Sequence, residues 1–133
     1  MRIFTVGHSN LEFDEFVRML QAAGVAAVVD VRKLTGSRKY PWFNDDSLSQ
    51  HLPTHGIAYM TNEGLAGRRN VSKTIPFEVN ANWQNRSFHN YADHALGEEF
   101  ATALENLRQH AADTPTAIMC SEAVWWRCHR RII

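Results

Sequence analysis

Apolar and polar positions alternate along this chain in blocks that read as strand, helix, strand. Ile3 to Val6 is a short apolar run ending in Gly7-His8-Ser9-Asn10, the pattern of a buried strand followed by a turn. Phe13, Phe16, Val17 and Leu20 then recur at i, i+3, i+4 and i+7, one face of an amphipathic helix that Gly24 closes as its C-terminal glycine. Residues 26–32, rich in β-branched side chains and polar only at Asp30 and Arg32, predict a second buried strand. A loop over 33–44 carries Gly36, Ser37 and Pro41, a short helix is expected around Asp46 to Leu52, and Gly56 to Met60 reads as a third strand. Residues 61–86 are irregular and polar, a length that in compact domains often marks a functional loop. From Ser87 to Ala111 the spacing of Phe88, Tyr91, Ala95, Phe100, Ala103, Leu104 and Leu107 is helical, with a break at Gly97. Thr116 to Met119 is the last predicted strand, and a helix is expected from Val124 onward. The alternation predicts one α/β domain over 1–133, a mostly parallel sheet with helices on both faces and right-handed crossovers.

That architecture has a functional corollary, because ligands of open parallel sheets sit outside the carboxyl ends of the strands. Three of the predicted strands end in chemistry: Gly7-His8-Ser9 after the first, Asp30 and Arg32 closing the second, Cys120 and Glu122 after the last. The densest stretch is the C-terminal one, where Cys120-Ser121-Glu122 is followed by Cys128-His129-Arg130-Arg131. A thiol, a carboxylate, an imidazole and several guanidinium groups are thus gathered at one strand exit.

Composition narrows the class. The chain has 133 residues, 44% hydrophobic and 21% charged, ordinary for a globular domain with its own core. No apolar run approaches the ~18 residues of a membrane span, the first residues lack the apolar core of a signal peptide, and no membrane partner is expected. Two closely spaced cysteines do not form a secreted disulfide framework, so a reducing cytoplasm is the expected location. The formal net charge is zero, which argues against a general nucleic-acid coat. Nine of the fourteen basic residues nevertheless fall in three segments: Arg32, Lys33, Arg38 and Lys39; Arg68 and Arg69; Arg127, Arg130 and Arg131. If these meet in space they form a local positive pocket; the alternative is a scatter of solvated charges.

Each candidate also has a plain structural role open to it. Cys120 fits as a small buried hydrophobe at a strand end, and Glu122 as a carboxylate at a helix N-terminus. On a helix, Cys128, His129 and Arg130 would be spread about 100° apart, so they could not all face one ligand. Asp30 and Arg32 share one face of their strand, and an internal ion-pair lattice would perturb pKa values much as an active site does. His8 fits as a partner for a loop carbonyl. Trp42, Phe43, Trp125 and Trp126 suit either packing or the stacking of a flat ligand. Cys120, Cys128, His129 and His8 offer soft ligands, but Cys-x7-Cys-His is not a familiar zinc spacing, and neither a metal nor another cofactor is expected.

Several motifs together resemble one family. Thr5-Val6-Gly7-His8-Ser9, Asp30-Val31-Arg32 with Ser37-Arg38, Leu65-Ala66-Gly67-Arg68, Phe88 with Tyr91-Ala92, and Cys120-Ser121-Glu122 followed by Cys128-His129-Arg130 are similar to the domain-of-unknown-function family numbered 488. The resemblance spans nearly the whole chain and implies site positions rather than a reaction. Ala66 stands where that family more often has a second glycine, and the chain stops inside the helix that the family usually continues into a further strand. A weaker resemblance, to rhodanese and the cysteine phosphatases, rests on Asp30-Val31-Arg32 and on a cysteine between a strand and a helix. It implies a thiolate cradled by backbone N–H groups. The six-residue gap from Cys120 to Arg127, one longer than the phosphatase signature, and the anionic Glu122 depart from that pattern.

Three function classes follow. The first is an enzyme for a small anionic substrate, with Cys120, Glu122, His8 and Asp30 as catalytic candidates. Ser9, Arg32, Ser37, Arg38, Arg68, Tyr91 and Arg130 would then bind substrate, while Cys128 and His129 take structural or secondary roles. The second is a module that binds or processes nucleic acid through few phosphate contacts. The third is a non-catalytic scaffold whose polar cluster is architectural. The first is preferred, because a strand-end cluster of Cys, Glu, His and Arg is costly to bury without use.

Overall fold

A computed structural model describes residues 2–133. Four strands, β1 (Ile3–Gly7), β2 (Ala27–Asp30), β3 (Ala58–Thr61) and β4 (Thr116–Cys120), form one sheet in the order β1-β4-β2-β3. All neighbours pair in parallel, with Gly7 opposite Cys120 and Asp30 opposite Met119. Every strand exit therefore lies at one edge, as the strand-helix alternation predicts. The helices are α1 (Phe13–Ala22), α2 (Asp45–His51), α3 (Arg86–His94) and α4 (Glu98–Asp113). Gly24 takes a φ of +73° just beyond α1, and Gly97 separates α3 from α4, both where the sequence puts them.

The inner strands β2 and β4 are buried at every position, so their alternating side chains feed two cores. Phe16, Val17 and Leu20 of α1 and Leu48 of α2 pack with Val28, Ala117 and Met119 on one face. Tyr91 of α3 and Phe100, Ala103 and Leu107 of α4 pack with Val29, Ile118 and Cys120 on the other. This parity decides the site. Asp30 follows Val28 on the α1/α2 face, whereas Cys120 follows Ile118 on the α3/α4 face.

The segment after β4 departs from expectation. In place of a helix from Val124, residues Trp125–Arg127 and His129–Arg131 form two short 3-10 turns. Between them Cys128 is extended, with φ −136° and ψ 176°. Arg130 explains the break. Its guanidinium folds back to donate to Cys128 Sγ (3.0 Å), Thr5 Oγ1 (2.8 Å) and the Glu122 carbonyl, contacts a regular helix would pull apart. Among the described residues, no helix is long and apolar enough to cross a membrane.

Candidate functional site

Two polar networks form at the carboxyl edge of the sheet, one on each face. On the α1/α2 face Asp30 is 1% exposed and Arg32 turns back over it. Arg32 Nε donates to Asp30 Oδ1 (2.9 Å), Nη2 to Oδ2 (2.6 Å), and the Arg32 backbone N–H to Oδ1 (3.0 Å). The Tyr59 hydroxyl donates to Oδ2 at 2.6 Å, so both carboxylate oxygens are fully used. The remaining guanidinium reach goes to the Phe43 carbonyl (2.8 Å) and His8 Nε2 (3.3 Å). Because the Ser9 carbonyl (2.8 Å) can only accept, His8 Nδ1 carries the proton and Nε2 accepts from Arg32. Burial holds the His8 pKa below its ordinary value, helped by the Arg32 charge, and the ring stacks on Phe43 at 4.3 Å. Burial opposes the Arg32 charge, but the Asp30 carboxylate outweighs it and raises the guanidinium pKa. Burial followed by the Asp30 hydrogen bond raises the Tyr59 pKa.

On the other face, ligand atoms of Cys120, Cys128 and His129 all lie within 4.8 Å of one another. Proximity of this kind is close enough to hold a soft metal ion as well as to share a proton. His129 Nε2 donates to the Val31 carbonyl at 2.7 Å, which leaves Nδ1 for the thiols. The ring lies against Gly67, where an added Cβ would come within 2.9 Å of Nδ1; glycine is what lets the imidazole in. The Tyr91 ring flanks it at 5.0 Å, and the Tyr91 hydroxyl donates to the Leu65 carbonyl at 2.7 Å. Cys120 is held well below the ordinary thiol range, first by a hydrogen bond from Cys128; burial opposes this, while His129 and the Glu122 backbone N–H add to it. The same Cys128–Cys120 bond, then burial, pushes Cys128 up. Cys120 is the thiolate of the pair and Cys128 keeps the proton.

The backbone that presents Cys120 depends on a glycine. His8 N–H donates to the Cys120 carbonyl and Ser9 N–H to the Ser121 carbonyl, both at 3.0 Å, extending the β1–β4 ladder past Gly7. A Cβ on Gly7 would meet the Glu122 carbonyl oxygen at 1.7 Å, so the chain crosses over Gly7 and needs it bare. Ser9 itself adopts a φ of +47° to make the turn.

Cys120, Cys128 and His129 open onto a cavity of about 350 Å³. Four basic residues, Arg32, Lys33, Arg68 and Arg127, line it against the one carboxylate of Glu122. Leu34, Phe88 and Tyr91 supply apolar wall. Arg68 is held at φ +58°, a conformation that a non-glycine residue adopts at some cost and that often marks functional positions. Its loop is stitched down. Arg69 donates to the Ala66 and Glu63 carbonyls, His94 pairs with the Gly64 carbonyl, and Asn90 donates to the Arg69 carbonyl.

The predicted residues thus separate. Cys120, Cys128, His129, Glu122, Arg32, Arg68 and Tyr91 border the cavity. His8 and Asp30 lie behind Arg32 in the closed network. Ser37 caps its own loop, accepting from the Lys39 and Tyr40 N–H groups, and Arg38 is exposed on that loop away from the cavity. Arg130 is buried and bonded within the protein, so it offers no free guanidinium to a ligand. Lys33, Phe88 and Arg127 also line the cavity, although in the sequence Lys33 and Arg127 stand out only as members of basic segments, Arg127 also through its spacing from Cys120, and Phe88 only as part of a helical face and a family motif. Neighbourhood was their signal, since each adjoins or sits inside a quoted motif.

A family model described as "Domain of unknown function DUF488" matches residues 12–133. No curated protein and no solved structure matches the chain. The resemblance to rhodanese and the cysteine phosphatases gains no support, and the site departs from it physically: among the described residues no α-helix starts beside Cys120, so no helix N-terminus cradles the sulfur.

Proposed function

The chain belongs to the DUF488 family, and from the geometry of its own site we propose that it is an enzyme acting on a small anionic substrate with Cys120 as nucleophile. The observation that carries this reading is the Cys120 sulfur on the wall of a cation-lined cavity, with hydrogen bonds from Cys128, His129 and the Glu122 N–H favouring its thiolate. A thiolate so placed attacks an electrophilic atom of the bound substrate, and the pair Cys120–His129, with the Val31 carbonyl orienting the imidazole, has the logic of an activated nucleophile. Arg68, Arg127 and Lys33 hold the anionic group, and Glu122 at the rim serves as acid or base for the leaving group. His8 and Asp30 act as positioning residues, fixing Arg32 between the two networks.

One observation favours a second reading, a nucleic-acid module. Trp125 and Trp126 are 47% and 50% exposed beside Arg127, in an edge-to-face pair 5.5 Å apart that could take a base. Thermal denaturation in inorganic phosphate, alongside titration with short single-stranded DNA and RNA at two salt concentrations, separates the two. The small-anion reading expects stabilisation by phosphate that Arg68→Ala and Arg127→Ala both remove, in line with ligand linkage. Salt-sensitive oligonucleotide binding without phosphate stabilisation overturns it. Zinc co-purifying at one equivalent with the protein would make Cys120 a ligand and end its role as nucleophile.

A further inference from the structure

Cys128 has no part in substrate binding as proposed, yet it sits against the reactive sulfur with a donor set of its own. Its Sγ accepts from Arg130 Nε at 3.0 Å and from the Arg130 backbone N–H at 3.4 Å. Two N–H donors, one of them from a guanidinium, stabilise a sulfur that must shed its proton. The Cys120 and Cys128 sulfurs lie within 4.8 Å, and a disulfide needs about 2.05 Å, so a shift of a few ångströms joins them. The two ends differ in freedom. Cys120 closes a paired strand, whereas Cys128 is an extended residue between two single turns. The backbone bonds just upstream of it are long, 3.3 Å from Arg127 N–H to the Val124 carbonyl and 3.4 Å from Cys128 N–H to the Trp125 carbonyl. Both sulfurs face the same cavity, so a small oxidant that reaches one is beside the other.

We propose that Cys120 and Cys128 form a reversible disulfide couple at this cavity, with a hydroperoxide as oxidant and a dithiol as reductant. The inference rests on Cys120 being the reactive thiol of the site. In the first step the Cys120 sulfur attacks the outer peroxide oxygen, the O–O bond breaks, and the departing oxygen takes a proton from solvent or His129 to leave as alcohol or water. Cys120 becomes a sulfenic acid. In the second step Cys128 attacks that sulfur, the S–O bond breaks, and the hydroxide leaves as water with the Cys128 proton. A dithiol then reduces the disulfide by two exchange steps, returning two thiols and becoming a disulfide itself. Cys128 thereby protects Cys120 from the irreversible sulfinic state.

Reduced protein treated with one equivalent of hydrogen peroxide tests this by intact mass and non-reducing peptide mapping. The expected product has lost two hydrogens, gained no oxygen, and contains a 120–128 cross-link that dithiothreitol removes. Cys128→Ser should stop at the sulfenic acid, with dimedone labelling about tenfold above wild type. Cys120→Ser should leave Cys128 unoxidised under the same conditions. Circular dichroism on both variants confirms that they fold. Sulfenic or sulfinic Cys120 accumulating in the wild type with Cys128 still free, or a cross-link between two chains, overturns the proposal. Because the readout needs no substrate, a disulfide without anion binding would retain the couple and sink the proposed function. Anion binding and fast Cys120 alkylation without a disulfide would do the reverse.

Discussion

The two polar networks lie at the same edge of the sheet, one on each face, and behave oppositely. On the α1/α2 face, His8, Asp30, Arg32 and Tyr59 saturate one another: two carboxylate oxygens meet three Arg32 donors and a phenol, and the Asp30 and Arg32 side chains are 0% and 6% exposed. On the α3/α4 face, the ligand atoms of Cys120, Cys128 and His129 lie within 4.8 Å of one another and open onto a cavity lined by four basic residues. A closed network spends its hydrogen-bonding capacity on the fold. An open one keeps a lone pair for something else. Sequence proximity to a strand end does not distinguish the two, but side-chain parity does, because alternate residues of β2 and β4 point to opposite faces.

The sharpest way to break the contrast is to cut the closed network. Asp30→Ala leaves the Arg32 guanidinium buried beside no carboxylate, and should lower unfolding free energy by about 3–5 kcal/mol in urea denaturation. A loss below ~1 kcal/mol would mean the network is not structural. Tyr59→Phe removes one hydrogen bond to a charged carboxylate and should cost about 1.5–3 kcal/mol in the same assay. Cys120→Ser, on the open side, should change stability by only about 1 kcal/mol while removing the fast thiol alkylation of the native protein and leaving the slower labelling of Cys128. Stability losses in the reverse order would exchange the roles assigned to the two faces.

The smallest effect concerns pH. The folded state holds the His8 pKa below that of the unfolded chain, so between the two values the unfolded chain binds more protons. The His8 contribution is therefore complete above the unfolded value of about 6.5 and is lost as pH falls through the lower folded one. Comparing urea midpoints at neutral and mildly acid pH, His8→Gln should lose less stability on acidification than wild type. Equal losses would show that His8 is not held neutral by its surroundings.

Much of this was legible in the sequence. Strand positions, the Gly24 and Gly97 breaks, and the gathering of chemistry at one edge follow from periodicity and from the rule for parallel sheets. The sequence places Asp30 and Arg32 two residues apart at a strand end, but β2 stops at Asp30, and their pairing is made by Arg32 turning back from the loop. What the sequence hid was settled by long-range contacts. The local pattern after Val124 predicts a helix because nothing local shows Arg130 reaching back to Thr5 across 125 residues. The same contact takes Arg130 out of the anion-binding set. Gly67 was visible in its motif, but its role became readable only once the His129 ring lay against it. Arg38 and Ser37 matched motifs by position, yet the 33–44 loop bonds to itself and turns Arg38 outward.

The central claim is that Cys120 is a reachable thiolate on the open face. Alkylation of the native protein by iodoacetamide, followed across pH and read at Cys120 by peptide mass, tests it most directly. The account predicts Cys120 labelling already near its maximal rate at mildly acid pH, with a midpoint well below the ~8.5 of a free thiol, and slower labelling of Cys128. Labelling of Cys120 only above that value, or only after unfolding, would contradict it.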